Sequence, residues 1–150
     1  MAQRAMTNFS VTVDIQAPPQ RVMAILCDVD CWPEWTTTTT SVRRLESGPL
    51  AVGSRARVWQ PNLSPAIWEV TEFDEMSGFT WISRSPGVRV AGGHRVEATE
   101  TGCKVTLSLQ FSGLLGPLFA RAFRGMNERY LATEAKGLKE RAEHQTEHKP

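Results

Sequence analysis

The stretch Phe9-Ser10-Val11-Thr12-Val13-Asp14-Ile15-Gln16-Ala17-Pro18-Pro19-Gln20-Arg21-Val22-Met23-Ala24-Ile25-Leu26 changes its hydrophobic period halfway along. Apolar side chains fall at 9, 11, 13 and 15 with polar ones between, the period of a strand with one buried face. Ala17-Pro18-Pro19 ends that strand. Proline suits the first turn of a helix, where its missing N–H would have no partner in any case. Val22, Ile25, Leu26 and Val29 then recur at helical spacing, so a short helix is predicted from about residue 19 to residue 27. Residues 28–35, with Trp32-Pro33-Glu34-Trp35 among them, read as a second short helix or a tight bend.

Working outward, the middle of the chain reads as six further strands, at about 42–46, 53–60, 66–73, 79–83, 88–99 and 104–111. Asp74-Glu75-Met76-Ser77-Gly78, Pro86-Gly87 and Glu100-Thr101-Gly102 are the turns between the later ones. Short turns force consecutive strands to be antiparallel. From Gly116-Pro117 onward the character changes. Leu118, Phe119, Ala122, Phe123, Met126, Tyr130 and Leu138 recur at three- and four-residue steps, predicting one amphipathic helix of about 26 residues. Gly125 and Gly137 lie inside it and weaken it locally. The end, 144–150, is polar and carries no apolar anchor. An antiparallel sheet with one apolar face needs a cover, and only this helix is large enough. The expected fold is therefore α+β: a strongly curved sheet of about seven strands gripping one long C-terminal helix. One domain over 1–150 is expected, with an ordered core at about 8–143.

Composition fits a folded domain of modest core. Leu, Ile, Val and Phe make 33 of 150 residues, near the lower limit for a folded chain, and five Trp add apolar area. The net charge of +1 argues against broad nucleic-acid binding, which needs a clustered basic surface. No run of 18 apolar residues exists, so no membrane span or stable insertion is expected. The first ten residues lack the apolar segment of a secretory signal. Cys27, Cys31 and Cys103 are an odd number, which points away from a disulfide scaffold and toward a reducing, cytoplasmic setting. Cys27 and Cys31 could share a helix face, but no further ligand completes a zinc site, so no metal is expected. There is no Gly-x-Ser-x-Gly elbow, and Gly92-Gly93 lacks the pattern of a phosphate loop, so no cofactor is expected.

Several local motifs, in order, resemble the START-like (SRPBCC) superfamily in its polyketide cyclase/dehydrase and lipid-transport branch. They are Val13-Asp14-Ile15-Gln16-Ala17-Pro18 leading into a helix, Asp28 followed by Trp32-Pro33-Glu34-Trp35, Val52-Gly53-Ser54, Trp68-Glu69-Val70, Phe79-Thr80-Trp81, Ser83-Arg84-Ser85-Pro86-Gly87, and Leu138-Lys139. The resemblance runs from about residue 9 to residue 143. It implies a helix-grip fold with a deep apolar cavity between sheet and helix. It also implies a small hydrophobic ligand of lipid, polyketide or aromatic type, with cyclisation or dehydration catalysed by a minority of members.

The residues themselves supply candidates for such a site. Trp68 shares a strand face with Val70, and Trp81 shares one with Phe79 and Ser83. Indole offers a large apolar surface with one N–H donor, which suits a pocket wall; filling the core is the competing role. Trp59 falls with Arg55 and Arg57 on the outer face. His94 is the only His before the tail, and its parity partners Val90, Gly92, Val96 and Ala98 turn it inward unless a bulge at Gly92-Gly93 reverses the face. There it could orient a ligand carbonyl as a donor, move protons in a cyclase or dehydrase, or simply sit in the core. The candidate ligand-binding set is Trp35, Trp68, Val70, Trp81, His94, Val96, Leu109, Phe111, Phe119, Phe123, Met126 and Tyr130. Residues 36–40, five residues beginning with Thr36, give a polar edge near the cavity mouth in which no chemistry is read. Arg121, Arg124, Arg129 and residues 136–141 read as the solvated side of the last helix. Monomer and homodimer both remain open. Carriage of the hydrophobic ligand is the leading expectation; an aromatase/cyclase or dehydrase using His94 is the alternative.

Overall fold

In the computed structural model, which describes residues 7–145, the change of period falls where the sequence puts it. Strand β1 (Asn8–Ile15) alternates outward and inward side chains and ends on the fully buried Ile15. Helix α1 (Pro19–Cys27) follows, with Pro19 in its first turn and Val22, Met23, Ile25 and Leu26 on its buried side. Residues Val29–Glu34 form a short 3-10 helix that buries Val29 and Trp32.

The remaining strands are β2 (Ser41–Arg44), β3 (Arg55–Trp59), β4 (Ala66–Asp74), β5 (Gly78–Ser85), β6 (Val88–Thr99) and β7 (Gly102–Ser112). They form one seven-stranded antiparallel sheet in the order β1-β7-β6-β5-β4-β3-β2. Strands β2 to β7 are a meander. β1 pairs with β7, register Val13↔Val105 and Val11↔Leu107, so the first strand closes the edge left by the last. The ladder runs without a shift through Gly92 and Gly93, and the parity of β6 holds; the one register shift among these pairs lies in β4 between Val70 and Glu72.

The C-terminal third departs from expectation. It is two helices, α2 (Gly116–Ala122) and α3 (Arg124–Gln145), parted at Phe123, whose backbone (φ −109°, ψ 23°) leaves helical geometry. The three- and four-residue apolar spacing runs straight through the break, because Phe119 and Phe123 both stay on the side facing the sheet. α3 also extends through His144 and Gln145, which the sequence places in the polar tail; the rest of that tail, 146–150, lies outside the described residues.

Apart from a small buried cluster of Val88, Phe111 and Ala120, the inner face of the sheet is filled at one end. There, Leu131, Ala135, Leu138 and Ala142 form one buried stripe of α3 and join Ile15, Val22, Leu26, Val70, Val96 and Val105 in a continuous core. Gly137 allows the close approach: a Cβ there would collide with the backbone carbonyl of Trp35. Lys139 and Arg141, expected on a solvated face, instead tie this end down. Lys139 Nζ donates to the carbonyl of Asp14 at 2.8 Å, the amide of Gln16 donates to Glu143 at 2.8 Å, and Arg141 pairs with Glu34 at 2.7 Å.

Candidate functional site

At the other end the sheet and the two helices enclose a cavity of about 400 Å3. Alternate residues of adjacent strands build its apolar wall: Val58 of β3, Trp68 of β4, Trp81 of β5, Val90 of β6, and Leu109 and Phe111 of β7. Phe119 of α2, Phe123 at the break, and Met126, Tyr130 and Leu131 of α3 close the opposite side. The rings of Trp68 and Trp81 stand 5.6 Å apart, and Trp81 reaches Trp32 at 5.2 Å. Gly92 lies opposite Trp81 in the β5–β6 ladder. A Cβ there would meet the indole at 3.2 Å, so glycine lets the ring come down on the strand. Trp32 has no such freedom: it is buried, and its Nε1 donates to the carbonyl of Leu26 at 3.0 Å.

His94 points inward from β6 and is 7% exposed. Its ring stacks on Phe79 at 4.4 Å and meets the edge of Trp32 at 5.4 Å. Nδ1 lies 3.1 Å from the carbonyl of Phe79. A carbonyl only accepts, so Nδ1 carries the proton and Nε2 keeps its lone pair. Burial lowers the imidazole pKa to about 4, against the smaller opposing pull of the Phe79 carbonyl. His94 is therefore neutral near pH 7 and presents an acceptor. The donor role toward a ligand carbonyl, expected from the sequence, is already spent on Phe79.

A second titratable group borders the same cavity. Glu134 of α3 accepts a hydrogen bond from Thr38 Oγ1 at 2.8 Å. Burial raises its pKa to about 7, and the Thr38 hydrogen bond opposes that only in part. Near neutrality it is a mixture of acid and carboxylate, able to donate or accept a proton. Thr39 and Asn127, both buried and both bordering the cavity, hold polar atoms with no protein partner among the described residues: Thr39 Oγ1 and Asn127 Nδ2. Unpaired buried polar groups are costly, and a ligand oxygen is one way to satisfy them.

Of the residues singled out from the sequence, Trp68, Trp81, His94, Leu109, Phe111, Phe119, Phe123, Met126 and Tyr130 border the cavity. Val70 and Val96 do not: at 0% and 2% exposure they fill the packed end of the sheet. Trp35 does not either. It packs on Trp32 at 5.5 Å and faces a separate surface depression beside Glu34 and Arg141. Residues 36–40 are not a polar edge without chemistry. Thr36, Thr38 and Thr39 are buried, and two of them supply the Glu134 hydrogen bond and an unpaired hydroxyl. Glu134 and Asn127 were missed because charged and polar helix residues read as solvated. The signal was present: Asn127 is four residues beyond Phe123, and Glu134 is four beyond Tyr130, on the stripe that faces the cavity. The three cysteines are free, and no helix among the described residues is long and apolar enough to cross a membrane.

The sequence profile of the family described as polyketide cyclase/dehydrase and lipid transport matches residues 6–143. An uncharacterized protein of Mycobacterium tuberculosis is 28% identical over 116 residues, covering 73% of this chain and 67% of its own. Among solved structures, the Zhui aromatase/cyclase from Streptomyces sp. R1128 superposes with a TM-score of 0.74 at 19% identity, over 93% of this chain and 94% of its own. A hypothetical protein, jhp0584 from Helicobacter pylori, gives 0.75 at 15% identity, over 90% and 86%. At such identities the structural likeness concerns the helix-grip fold alone.

Proposed function

The chain belongs to the polyketide cyclase/dehydrase and lipid transport family, and from that premise we propose that its single START-like domain binds one small, largely apolar molecule bearing oxygen substituents. The cavity of about 400 Å3 carries this reading: an apolar wall with a few converging polar atoms is what holds and orients such a ligand. Trp68 and Trp81 supply flat apolar area, and His94 Nε2 accepts from a ligand hydroxyl. Tryptophan fluorescence, titrated with a fatty acid and with a planar polyphenol, tests it. Saturable quenching by at least one probe is expected. Trp68→Ala should weaken that binding by about tenfold or more while leaving the protein folded, since this indole is only partly buried. No saturable response from any apolar probe, with mass spectrometry of the native protein also free of small molecules, would reject it.

Glu134 favours a second reading, a proton-transferring cyclase or dehydrase. A carboxyl held near pKa 7 is matched to acid–base work at neutral pH, whereas His94 near 4 is a weak base. In this reading the proton-transfer group is Glu134, with His94 orienting the substrate. Glu134→Gln should then slow turnover of a poly-ketone by roughly 10²–10⁴ with affinity little changed. If the protein only binds, no turnover exists to lose, and the same substitution changes affinity alone.

A further inference from the structure

The outer side of the cavity mouth is unusually apolar. Leu114 is 92% exposed and Leu118 is 62% exposed, and Leu115, Phe119 and Phe123 beside them are exposed as well. Monomeric soluble surfaces rarely gather this much apolar area without a partner. Phe119 and Phe123 belong to both surfaces: they border the cavity within and the exposed patch without.

The unpaired charges in the segments that form the patch have one sign. The chain holds 16 acidic residues, yet none lies between 101 and 127, nor between 76 and 96. Arg121 stands on the patch itself, and Arg124 beside it is paired with Glu128 at 3.3 Å. Arg84 and Arg89 stand on the adjacent β5–β6 hairpin, whose turn touches Leu115: the Leu115 amide donates to the carbonyl of Gly87 at 2.7 Å. Arg84 and Arg89 are direct cross-strand partners. Like charges placed so repel each other and destabilise the hairpin. Neither they nor Arg121 has an ion-pair partner among the described residues. Nothing in the fold requires this cost, and a surface of negative charge would remove it.

We propose that the Leu114–Phe123 segment docks on an anionic lipid surface, with Leu114 and Leu118 entering the acyl boundary and Arg84, Arg89 and Arg121 meeting the headgroups. No spanning helix is needed, because exposed apolar side chains with flanking cations suffice for reversible interfacial binding. Docking in this pose puts the cavity mouth against the bilayer, so an apolar molecule can pass between lipid and cavity along Phe119 and Phe123 without crossing water. A second copy of the chain would place these arginines against one another, which disfavours it as the occupant.

Co-sedimentation of the full chain with vesicles tests the docking without any cavity ligand. Vesicles of phosphatidylcholine with phosphatidylglycerol should pellet the protein, and vesicles of phosphatidylcholine alone should do so much less. Added salt should weaken the anionic case. Leu114→Ser with Leu118→Ser should lower partitioning more than tenfold. Arg121→Gln with Arg84→Gln should lower it about fivefold per arginine, on anionic vesicles only. No pelleting of the unsubstituted chain, or equal pelleting of the leucine variant, overturns the proposal. So does concentration-dependent dimerisation that the leucine variant abolishes. Neither leucine borders the cavity, so fluorescence quenching by the apolar probes should be the same in that variant. Loss of quenching in every form counts against the ligand reading and leaves the docking result to stand or fall by itself.

Discussion

Along the same helix, α3, two glutamates nine residues apart titrate in opposite directions. Glu143 sits at the packed end, where the Gln16 amide and Lys139 hold its carboxylate below the usual range. Glu134 sits at the cavity end, where burial pushes its carboxyl up to about 7. The contrast extends to everything around them. Near Glu143, Ile15, Val22, Leu26 and Leu138 interlock with at most 1% exposure, and the Gln16 amide, Lys139 and Arg141 all find partners, the buried indole N–H of Trp35 beside Gly137 being an exception. Near Glu134, Thr39 and Asn127 keep unpaired atoms and Phe119 and Phe123 remain exposed. One half of the inner face is organised to be stable, the other to be incomplete. Elements that bind are drawn from the less stable part of a fold, since a fully satisfied surface has nothing left to offer a ligand.

The largest effect should come from substituting equal chemistry in the two halves. Leu138→Ala removes a fully buried side chain from the packed end and should cost about 2–5 kcal/mol in denaturant unfolding. Phe123→Ala removes a larger side chain from the cavity mouth, where it is already exposed, and should cost about 1 kcal/mol or less. Equal losses would mean that the cavity end is as tightly packed as the other, and the division would fail.

The titration of Glu134 gives a second test. Its folded pKa is raised, so its protonated form is favoured by the fold. That stability is fully present below pH 4.5 and is lost as pH rises toward 7. Glu134→Gln keeps a neutral group that can still accept from Thr38. It should stabilise the protein by up to about 3 kcal/mol at pH 8 and by almost nothing at pH 4.5. A pH-independent effect would mean that the carboxyl is hydrated and that the cavity end does not bury it.

The packed half was the legible half. Strand alternation in β1 and β7, the Pro18-Pro19 stop and the helical spacing of Val22, Ile25 and Leu26 all rest on burial, and burial is what apolar periodicity records. The cavity half was legible only in its strands. Parity placed Trp68, Trp81 and His94 on the inner face, but it cannot separate a side chain that lines a void from one that fills the core, and Val70 and Val96 went with the wrong group. The break at Phe123 was hidden because the apolar spacing continues across it. The tautomer of His94 was hidden because it depends on the carbonyl of Phe79, which lies 15 residues away in sequence.

His94 sits on the border between the halves, and its effect should be smaller. With Nδ1 committed to Phe79, Nε2 can only accept, so a phenol should bind better than its methyl ether. One neutral hydrogen bond is worth roughly 0.5–1.5 kcal/mol, or about tenfold at most. His94→Phe keeps an aromatic ring against Phe79 and removes the acceptor. It should bind the two probes equally, as read by tryptophan quenching. A preference for a ketone over the phenol in the unsubstituted protein would show that the tautomer is the opposite one.

The smallest expected effect lies at Glu143, and its sign is the sharpest check on the comparison. Its folded pKa is lowered, first by the hydrogen bond from the Gln16 amide and then by Lys139. The stability it contributes is therefore present above the ordinary carboxylate pKa of 4.5 and is lost as pH falls, the reverse of Glu134. Its partners are largely at the surface, so solvent weakens the interaction and the whole contribution should be about 1 kcal/mol or less. Glu143→Gln should lower the melting temperature slightly at pH 7, where the Gln16 amide loses a charged acceptor. The difference should shrink as the pH is brought below 4.5. Run beside Glu134→Gln, the two melting curves should move in opposite directions at pH 8. If both variants shift the same way, the two ends of α3 share one environment, and the contrast between a satisfied half and an incomplete half is wrong.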